Sequence, residues 1–343
     1  MDSARFNAIV ERYPGLSIAV LGDFCLDRYL EIDPAKKETS LETGLPVHNV
    51  VNVRAQAGAA GTIVNNLVAL GVGTIFPVGF AGEDGEGYEL SRALEALAGV
   101  RLTHFVRTHH RRTFTYCKPL VLEPGKPPVE LNRLDLKNWA PTSAWLQSLL
   151  VSKLQEAAAQ ADAIIVLDQV DIPETGVVTR KVQAAIKSMM EATPDLLVLA
   201  DSRRGLRGFP PVVFKMNAAE LAALTGAPGE LSSEQVEAAA ATLAKTNGRS
   251  VFVTLAARGI LGATPDGQVE YVPALPVRGE IDVVGAGDAV SAYLTVALAA
   301  GANLGEALEL ANAAASIVVH KLGTTGTASV PEIRKLLCSP ASA

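Results

Sequence analysis

The segment Glu280-Ile281-Asp282-Val283-Val284-Gly285-Ala286-Gly287-Asp288-Ala289-Val290 leads from β-branched residues through two glycines into a long uncharged run. This pattern predicts a sharp turn and then a helix that begins at about Gly287. The first turn of a helix has N–H groups without internal partners, and the helix dipole adds partial positive charge there. We therefore predict that the N–H groups of Ala286, Gly287 and Asp288, approached past Gly285, bind a phosphate. The Asp288 carboxylate beside them would accept the proton of an attacking hydroxyl.

Two other interpretations apply to such a segment. A G-x-G-Asp turn also forms where the Asp merely caps a helix. The dinucleotide-binding fingerprint begins in a similar way, but it needs a third small residue where this chain has Val290. That fingerprint also belongs to a first βαβ unit with further strands behind it, and too little chain follows here. The segment therefore does not indicate a dehydrogenase.

The composition excludes several classes of partner. The 343 residues carry a formal charge of −6, and no long cluster of Lys or Arg is present, so no surface for nucleic acid is expected. Three cysteines without a C-x-x-C pair are typical of a reducing compartment. The N-terminus lacks the pattern of a signal peptide, and polar residues interrupt the apolar run after Asp288. We expect a cytoplasmic protein without a membrane span.

Apolar β-rich runs alternate with helical periodicities along most of the chain. Polar residues follow several of the runs, which places these residues at one edge of a parallel sheet. The alternation predicts one α/β domain with three layers, in which helices cover both faces of a mostly parallel central sheet. Strands are predicted at 16–21, 74–78, 163–167, 196–200, 212–215 and 251–255, and helices at 2–13, 86–98, 142–160, 174–191 and 233–246.

Two segments, 27–57 and 101–135, interrupt this alternation. In the second segment Thr113, Thr115 and Cys117 alternate with bulkier residues, which is the period-2 pattern of antiparallel strands. We predict that the two segments form a small β-sheet, called the lid, that closes over a substrate. The body of the domain would then consist of residues 1–26, 58–100 and 136–343.

A small isolated sheet cannot bury both of its faces, and its bare edges invite unwanted pairing. One face of the lid can cover the substrate, so the other face needs a second cover. The simplest cover is the lid of another copy about a two-fold axis. We therefore predict a homodimer through the lids, with candidate contacts at Val47, Val51, Phe114 and Tyr116.

Several motifs resemble those of the ribokinase-like sugar kinases, the PfkB family. Residues 282–288 are similar to the family's C-terminal signature D-T-x-G-A-G-D, with Val283 as the main departure. The likeness extends over about residues 16–335, and the joint order and spacing of the motifs carry it. Further matches lie at residues 22–27, 58–71, 79–87, 215–220 and 254–259.

The resemblance implies a ribokinase-like fold and transfer of a phosphoryl group from ATP, with Mg²⁺, to a sugar hydroxyl. Asp288 would be the base, beside an anion site at Gly285, Ala286 and Gly287. The substrate would be bound by Asp27, Gly58, Thr62 and Asp168. ATP would be bound by Asn217, Glu220, Thr254, Gly259 and Asn312. The family often binds a monovalent cation such as K⁺, here near Asp282 and Val284.

The substrate is less well determined than the reaction. Asp27-Arg28-Tyr29, Arg133-Leu134-Asp135 and residues 311–324 are especially similar to the heptose-7-phosphate kinase branch of the family. A pocket selects its substrate through hydrogen bonds, because an unpaired buried polar atom costs about 1–3 kcal/mol. We expect a phosphorylated seven-carbon sugar or a related sugar phosphate ahead of ribose. On the sugar side the departures from the family pattern are Cys25, Ala59 and Thr62.

Purely structural roles compete with these assignments. Asp27 could cap a turn, Asp168 could cap the following helix, and Asn217 with Glu220 has the spacing of a capping box. Two other functions also stay open: a catalytically silent paralogue that binds a sugar or nucleotide, and a nucleoside kinase with an aromatic lid. Three basic residues of the second lid segment are expected to be solvated, and one of them could meet a substrate phosphate: Arg111, Arg112 and Lys118.

Overall fold

A computed structural model describes residues 1–227, 229–323 and 325–338. The strands are β1 (Ser17–Gly22), β2 (Phe24–Ile32), β3 (Glu38–Thr39), β4 (Pro46–Val47), β5 (Val50–Ala59), β6 (Thr74–Gly82), β7 (Phe105–Thr108), β8 (Phe114–Val121), β9 (Val129–Glu130), β10 (Leu134–Leu136), β11 (Ala163–Asp168), β12 (Leu197–Ser202), β13 (Val213–Asn217), β14 (Val251–Thr254), β15 (Gly259–Ala263) and β16 (Val269–Pro273). The helices are α1 (Ser3–Val10), α2 (Ala60–Ala69), α3 (Gly85–Glu95), α4 (Ala144–Ala158), α5 (Arg180–Ala192), α6 (Ala218–Thr225), α7 (Ser233–Asn247), α8 (Ala286–Ala299), α9 (Leu304–Val318) and α10 (Val330–Cys338).

The central sheet has the strand order β16-β15-β14-β13-β12-β11-β1-β6-β7. Its pairs are parallel from β14 through β7, as the alternation of elements predicts. The last two strands, β15 and β16, are antiparallel and were not predicted. Only residues 255–258 connect β14 to β15, and a parallel crossover needs a dozen residues or more. The short connection therefore forces an antiparallel edge.

Two hydrophobic cores lie on opposite faces of this sheet. In β1, Ile18 and Val20 point into one core, whereas Ala19 and Leu21 point into the other. The first core contains buried side chains of α1, α2, α3, α8, α9 and α10, and the second contains those of α4, α5, α6 and α7. Strands buried on both faces must be apolar throughout, which explains the continuous apolar runs in the sequence. The three-layer α/β/α architecture is confirmed.

The lid is a second sheet with the strand order β10-β8-β2-β5, and β9 also pairs with β8. Its strands are mostly antiparallel, but β2 and β8 run parallel. The predicted second lid segment began too early, because β7 pairs with β6 at the edge of the central sheet. The strands of the lid in this part of the chain begin at Phe114. Val47 also lies outside the lid sheet, in the separate β3–β4 hairpin.

The helix predicted at 174–191 begins only at Arg180. The preceding residues turn inward around Asp23, whose carboxylate accepts hydrogen bonds from the N–H groups of Gln169 and Val177. A Cβ on Gly176 would lie 2.3 Å from Asp23 Oδ1, so the chain passes too close to continue as a helix. Periodicity in the sequence contains no sign of this buried carboxylate. Among the described residues, none of the helices is long and apolar enough to cross a membrane.

Ala59 joins β5 to α2 with φ 53° and ψ −117°, a backbone conformation in which only glycine is free of strain. The family motif has a glycine at this position, so the strain follows from the substitution. Ala59→Gly is expected to raise the free energy of unfolding by about 1 kcal/mol. Ala60→Gly, one residue into the helix, should lower it by roughly 0.5–1 kcal/mol. Urea unfolding of both variants tests this pair, and equal destabilisation would contradict it.

Candidate active site

Helix α8 begins directly after Gly285, which has φ 82°. Because glycine has no side chain, no side chain caps this helix start. The Ala286 N–H donates to the Val283 carbonyl at 3.3 Å. The N–H groups of Gly287 and Asp288 have no protein acceptor among the described residues. Two donors therefore point out of the helix start, rather than the three that the sequence predicts. Unpaired donors at an uncapped helix N-terminus are suited to bind an anion, as the sequence predicts.

Three polar side chains pack beneath this helix start. Lys215, in the middle of β13, donates to Asp201 Oδ2 at 2.6 Å, and Ser291 Oγ donates to the same oxygen at 3.1 Å. Burial lowers the pKa of Lys215, but the Asp201 carboxylate outweighs burial, so the pKa is raised and the side chain is a cation. A Cβ on Gly287 would lie 3.0 Å from Lys215 Nζ. Glycine at 287 thus gives the ammonium room against the helix backbone.

Asp288 is half-buried at the first turn of α8. Burial raises its pKa to about 7, Asp201 adds to the rise, Lys215 opposes it, and Asp27 contributes a further rise. A carboxylate with a pKa near neutrality is well matched to accept a proton from a hydroxyl. The electrostatic influence of Asp27 on this pKa places the two carboxylates near each other.

The pKa of Asp288 predicts how activity depends on pH. With a base that ionises at about 7, kcat/KM should rise about tenfold per pH unit below pH 7 and level off above it. A carboxylate with an ordinary pKa would give a flat profile from pH 5 to 9. The measurement is kcat/KM from pH 5 to 9 with the concentration of fully ionised ATP held constant. A flat profile, with folding verified by circular dichroism at each pH, would contradict the raised pKa.

Asp27 lies within β2, buried and in register with Gln56 and Tyr116 of the neighbouring strands, so it does not cap a turn. Lys118 Nζ lies 3.7 Å from Asp27 Oδ1 and 4.9 Å from the centre of the Tyr29 ring. A Cβ on Gly58 would lie 2.7 Å from both Cγ and Oδ2 of Asp27, and 2.8 Å from Cys25 Sγ. Gly58 therefore makes room for the carboxylate rather than contributing a group of its own. Lys118 is buried, so its prediction as a solvated residue is wrong.

Thr62 lies where α2 meets the start of α8. Its side chain is 1% exposed, and Oγ1 has no hydrogen-bond partner in the described part of the chain. Its methyl carbon lies 3.5 Å from the position of a Cβ on Gly285. Buried hydroxyls are nearly always hydrogen-bonded in folded proteins, and Thr62 is an exception that lies beside the start of α8.

Asp168 ends β11 and is fully buried. One carboxylate oxygen, Oδ2, accepts hydrogen bonds from Ser202 at 2.8 Å and Arg204 at 2.7 Å. The other oxygen, Oδ1, has no partner among the described residues. Asp168 does not cap the following helix, because Thr179 caps α5. An open pocket begins at the next residue, Gln169, and is also lined by Phe114, Tyr116, Lys137, Asn138, Trp139, Val170, Asp171, Ile172 and Thr175.

Asn217 and Glu220 form the capping box of α6. Asn217 Oδ1 accepts from the Glu220 N–H at 2.9 Å, and Glu220 Oε2 accepts from the Asn217 N–H at 2.7 Å. The capping role that the spacing of Asn217 and Glu220 suggests is therefore present in the structure. Glu220 Oε1 has no hydrogen-bond partner in the part of the chain that the structure describes, and burial, with a contribution from Asp201, raises the pKa of Glu220.

The other predicted ATP ligands lie at the β14–β16 end of the sheet. Thr254 is paired with Asn217 in the register of β14 and β13. Gly259 has φ 113°, and a Cβ there would lie 2.1 Å from the Val272 carbonyl oxygen. Asn312 Nδ2 donates to the Pro273 carbonyl at 2.9 Å, which ties α9 to β16. Ala256, between Thr254 and Gly259, has a positive φ of 50°.

Asp282 and Val284 precede the anion site. The Asp282 N–H donates to the Val319 carbonyl at 2.7 Å, and Asp282 Oδ1 accepts from the Val284 N–H at 3.0 Å. Among the described residues, Asp282 Oδ2 has no hydrogen-bond partner. The two hydrogen bonds hold the turn that leads into α8, which is a structural task in addition to any contact with a cation.

Comparison with known proteins agrees with the sequence signatures. A family model described as pfkB family carbohydrate kinase matches residues 17–331. The chain belongs to the pfkB family of carbohydrate kinases. Two curated relatives are the bifunctional proteins HldE of Azorhizobium caulinodans, 32% identical over 90% of this chain, and of Caulobacter vibrioides, 31% identical over 94%. The chain spans 61% and 64% of the length of these relatives, respectively.

Solved structures of carbohydrate kinases have the same fold as this chain. The Arabidopsis thaliana ribokinase complexed with ribose and ATP matches with a TM-score of 0.67 at 21% identity, covering 95% of this chain and 99% of that chain. The Escherichia coli phosphofructokinase-2 in complex with fructose-6-phosphate matches with a TM-score of 0.68 at 18% identity, covering 93% of this chain and 97% of that chain. At these identities the likeness shows the fold alone.

Sequence reasoning missed several residues of this pfkB site. Lys215 belongs to the motif segment 215–220 and Asp201 directly follows a predicted strand, but neither was given a role. The signal was a lysine within the apolar run of β13, since a buried charge must be paired. Arg204, the partner of Asp168, carried no comparable signal. Arg111 is also buried rather than solvated, and it donates to the carbonyl oxygens of Ala140 and Thr175.

Proposed function

We propose that this chain is an ATP-dependent kinase that transfers the γ-phosphoryl group to a hydroxyl of a sugar or sugar phosphate. The observation that carries the proposal is the half-buried Asp288 carboxylate, of pKa about 7, at a helix start with two unpaired N–H donors. The base and the anion site are thus adjacent, which is the arrangement that phosphoryl transfer needs. Asp27, across from them on the lid, is placed to orient the acceptor sugar.

In the transfer, the acceptor oxygen forms a bond to the γ-phosphorus as the bond from that phosphorus to the β–γ bridging oxygen breaks. The hydroxyl proton passes to the Asp288 carboxylate, and ADP leaves with the bridging oxygen. The N–H groups of Gly287 and Asp288 would stabilise the charge that spreads over the equatorial oxygens. The lid would exclude water, which could otherwise accept the phosphoryl group in place of the sugar.

The residues present fit magnesium that arrives with ATP. Among the described residues, no group of three or more His, Cys, Asp or Glu side chains could hold a metal ion by itself. Glu220 Oε1 would hold Mg²⁺ through water, since this ion dehydrates reluctantly. When bound, the ion neutralises charge on the phosphates. We also propose a K⁺ site near Oδ2 of Asp282 and the backbone of Val284.

The charges near the pocket favour a phosphorylated substrate. Lys137 Nζ lies 2.7 Å from Asp171 Oδ2, and Arg203 Nε lies 3.1 Å from Asp171 Oδ1. Lys137 Nζ also lies 3.9 Å from Asp135 Oδ2. Lys137, Arg203 and Arg133 therefore share two carboxylates and leave one positive charge in excess near the pocket that contains Tyr116. The Arg133 guanidinium lies over that Tyr116 ring, 4.9 Å from its centre, although it is paired with Asp135. We propose that this rim binds the existing phosphate of a sugar phosphate, with heptose 7-phosphate as the first candidate.

The test is an assay of ADP release with ATP and a panel of sugars, sugar phosphates and nucleosides. A kcat/KM for heptose 7-phosphate or a related sugar phosphate well above that for ribose supports the proposal. Phe114, Tyr116 and Trp139 line the pocket and favour a nucleoside kinase as the second candidate. Higher activity with nucleosides would establish that candidate instead. Binding of ATP without turnover of any panel member would support a catalytically silent paralogue.

We also propose that two copies pair through the outer faces of their lids. Val51, Val53 and Leu134 are 49%, 46% and 63% exposed, which leaves an apolar lid surface open to solvent. Phe114 and Tyr116 cannot contribute, since they lie on the inner face with Asp27. Light scattering at micromolar concentration should give twice the chain mass of 35.8 kDa, and Val53→Glu should give the monomer. A wild-type monomer would overturn the pairing.

A further inference from the structure

Lys215 is a buried cation next to the proposed reaction centre. Its residue is 6% exposed, and its ammonium donates one hydrogen bond, to Asp201 Oδ2 at 2.6 Å. An ammonium has three donors. No other acceptor for Lys215 Nζ occurs within the described ranges of the chain. Two N–H donors of a charged group are therefore available in a site that is almost closed to bulk water.

The position of this ammonium is unusual for a lysine that serves only to neutralise a carboxylate. Nζ lies 3.0 Å from where a Cβ of Gly287 would be, directly against the first turn of α8. The same turn carries the free N–H groups of Gly287 and Asp288. The ammonium and these backbone donors thus lie at the same turn of α8, and all of them are suited to an anion.

Asp201 holds the ammonium in this position. Its Oδ2 accepts both Lys215 and Ser291 Oγ, and Ser291 lies one turn along α8 from Gly287. The lysine is therefore fixed before a ligand arrives. Fixed charges in a site with little water stabilise a developing negative charge much more strongly than they would in bulk water.

We propose that Lys215 is a catalytic residue that donates hydrogen bonds to the non-bridging oxygens of the phosphoryl group during its transfer. This role rests on the proposed kinase function. Lys215 would supply the positive charge of the anion site, and the N–H groups of Gly287 and Asp288 would orient the phosphoryl oxygens. Asp201 would position Lys215. Glycine at 287 leaves room for the ammonium, because a Cβ there would lie only 3.0 Å from Lys215 Nζ.

The opposing explanation is that Lys215 only compensates the buried charge of Asp201. The single variant Lys215→Met cannot separate the two, because it leaves Asp201 without its partner. The double variant Asp201→Asn/Lys215→Met removes both charges, and Asn can still accept the Ser291 hydrogen bond. Under the opposing explanation this double variant is nearly as active as the parent. Under our proposal it stays impaired, because the donor to the phosphoryl group is absent.

The experiment compares the parent, Lys215→Met and the double variant in turnover and in binding of ADP with and without aluminium fluoride, which mimics the transferred group. We expect kcat to fall by about 10²–10³-fold in both variants. The preference for ADP with aluminium fluoride over ADP alone should fall by at least about tenfold. The affinity for ADP alone should change by less than about threefold. Thermal melting verifies that the double variant is folded.

A matched surface pair provides the control. Lys187 and Glu191 form an exposed ion pair on α5, with 3.9 Å between Lys187 Nζ and Glu191 Oε1. Lys187→Met with Glu191→Gln should leave all these quantities within about twofold of the parent. A folded double variant at 201 and 215 with kcat within about threefold of the parent would overturn the proposal. A parent that binds ADP with aluminium fluoride tightly but turns over no sugar would contradict the proposed function and leave the Lys215 contact supported.

Discussion

Asp288→Asn should lower turnover by about two to four orders of magnitude, with ATP affinity nearly unchanged. The amide has the size of the carboxylate but cannot accept the proton of the acceptor hydroxyl. Because the N–H groups of Gly287 and Asp288 belong to the backbone, the anion site keeps its donors in the variant. Steady-state kinetics and calorimetric titration with ATP measure the two effects separately. Turnover within about threefold of the parent would remove Asp288 from the role of base.

The same variant should be more stable than the parent at high pH. The pKa of Asp288 is raised from 3.8 to about 7 in the folded state. Between these values the unfolded chain loses the proton and the folded chain keeps it, so stability falls as pH rises from about 4 to 7. Asparagine has no such penalty. We expect the variant to gain roughly 1–3 kcal/mol at pH 8, allowing for the partial solvent contact of Asp288, and little at pH 4.

A suitable control is Asp195→Asn, since Asp195 is exposed on the surface. That variant should match the parent in turnover and in its unfolding curves at pH 4 and pH 8. Activity lost together with stability at both pH values would instead indicate damage to the fold. If Asp288 is needed for catalysis but its buried charge destabilises the fold, the Asn variant should gain stability at pH 8 and lose turnover.

Gly58→Ala should have the second largest effect on catalysis, and it should impair the use of the sugar without impairing the binding of ATP. The new methyl group would lie 2.7 Å from the Asp27 carboxylate and 2.8 Å from Cys25 Sγ, so Asp27 must rotate away from its position. We expect kcat/KM for the sugar to fall by about 10²-fold or more, since small displacements of a positioning group are costly. Affinity for ATP should be unchanged, because Asn217, Glu220 and Thr254 lie on the body.

Gly85→Ala serves as the matched control, because a Cβ at Gly85 would meet nothing within 4 Å. It should be indistinguishable from the parent in kcat/KM. If Gly58→Ala retains the sugar kcat/KM of the parent, Asp27 does not orient the acceptor in the way we propose. If it instead weakens ATP binding to the same extent, the effect is a general change in the fold.

The sequence by itself predicted most of the scaffold. Apolar runs alternating with helical periodicities predicted the parallel sheet and its two helical layers, because a strand buried on both faces must be apolar. The motif 282–288 predicted where α8 begins, since glycines and an acidic residue mark a helix start locally. The family assignment follows from the order of such local motifs and is shown by the match over residues 17–331.

Properties that depend on distant residues could not be predicted in this way. The placement of β7 in the central sheet, the inner-face position of Tyr116 and the turn around Asp23 each depend on a partner far along the chain. Periodicity reports which residues are apolar, but it does not report which strand lies beside which. The lid boundary and the face available for pairing were therefore assigned incorrectly in part.

The chemistry of the site shows the same division. The sequence alone placed a carboxylate, Asp288, after a glycine turn, because that arrangement is local. Only the tertiary structure brought Lys215 and Asp201 from β13 and β12 under the start of α8. It also decided that burial raises the pKa of Asp288 to about 7. Burial and charge pairing depend on distances between residues remote in the chain, and only folding fixes those distances.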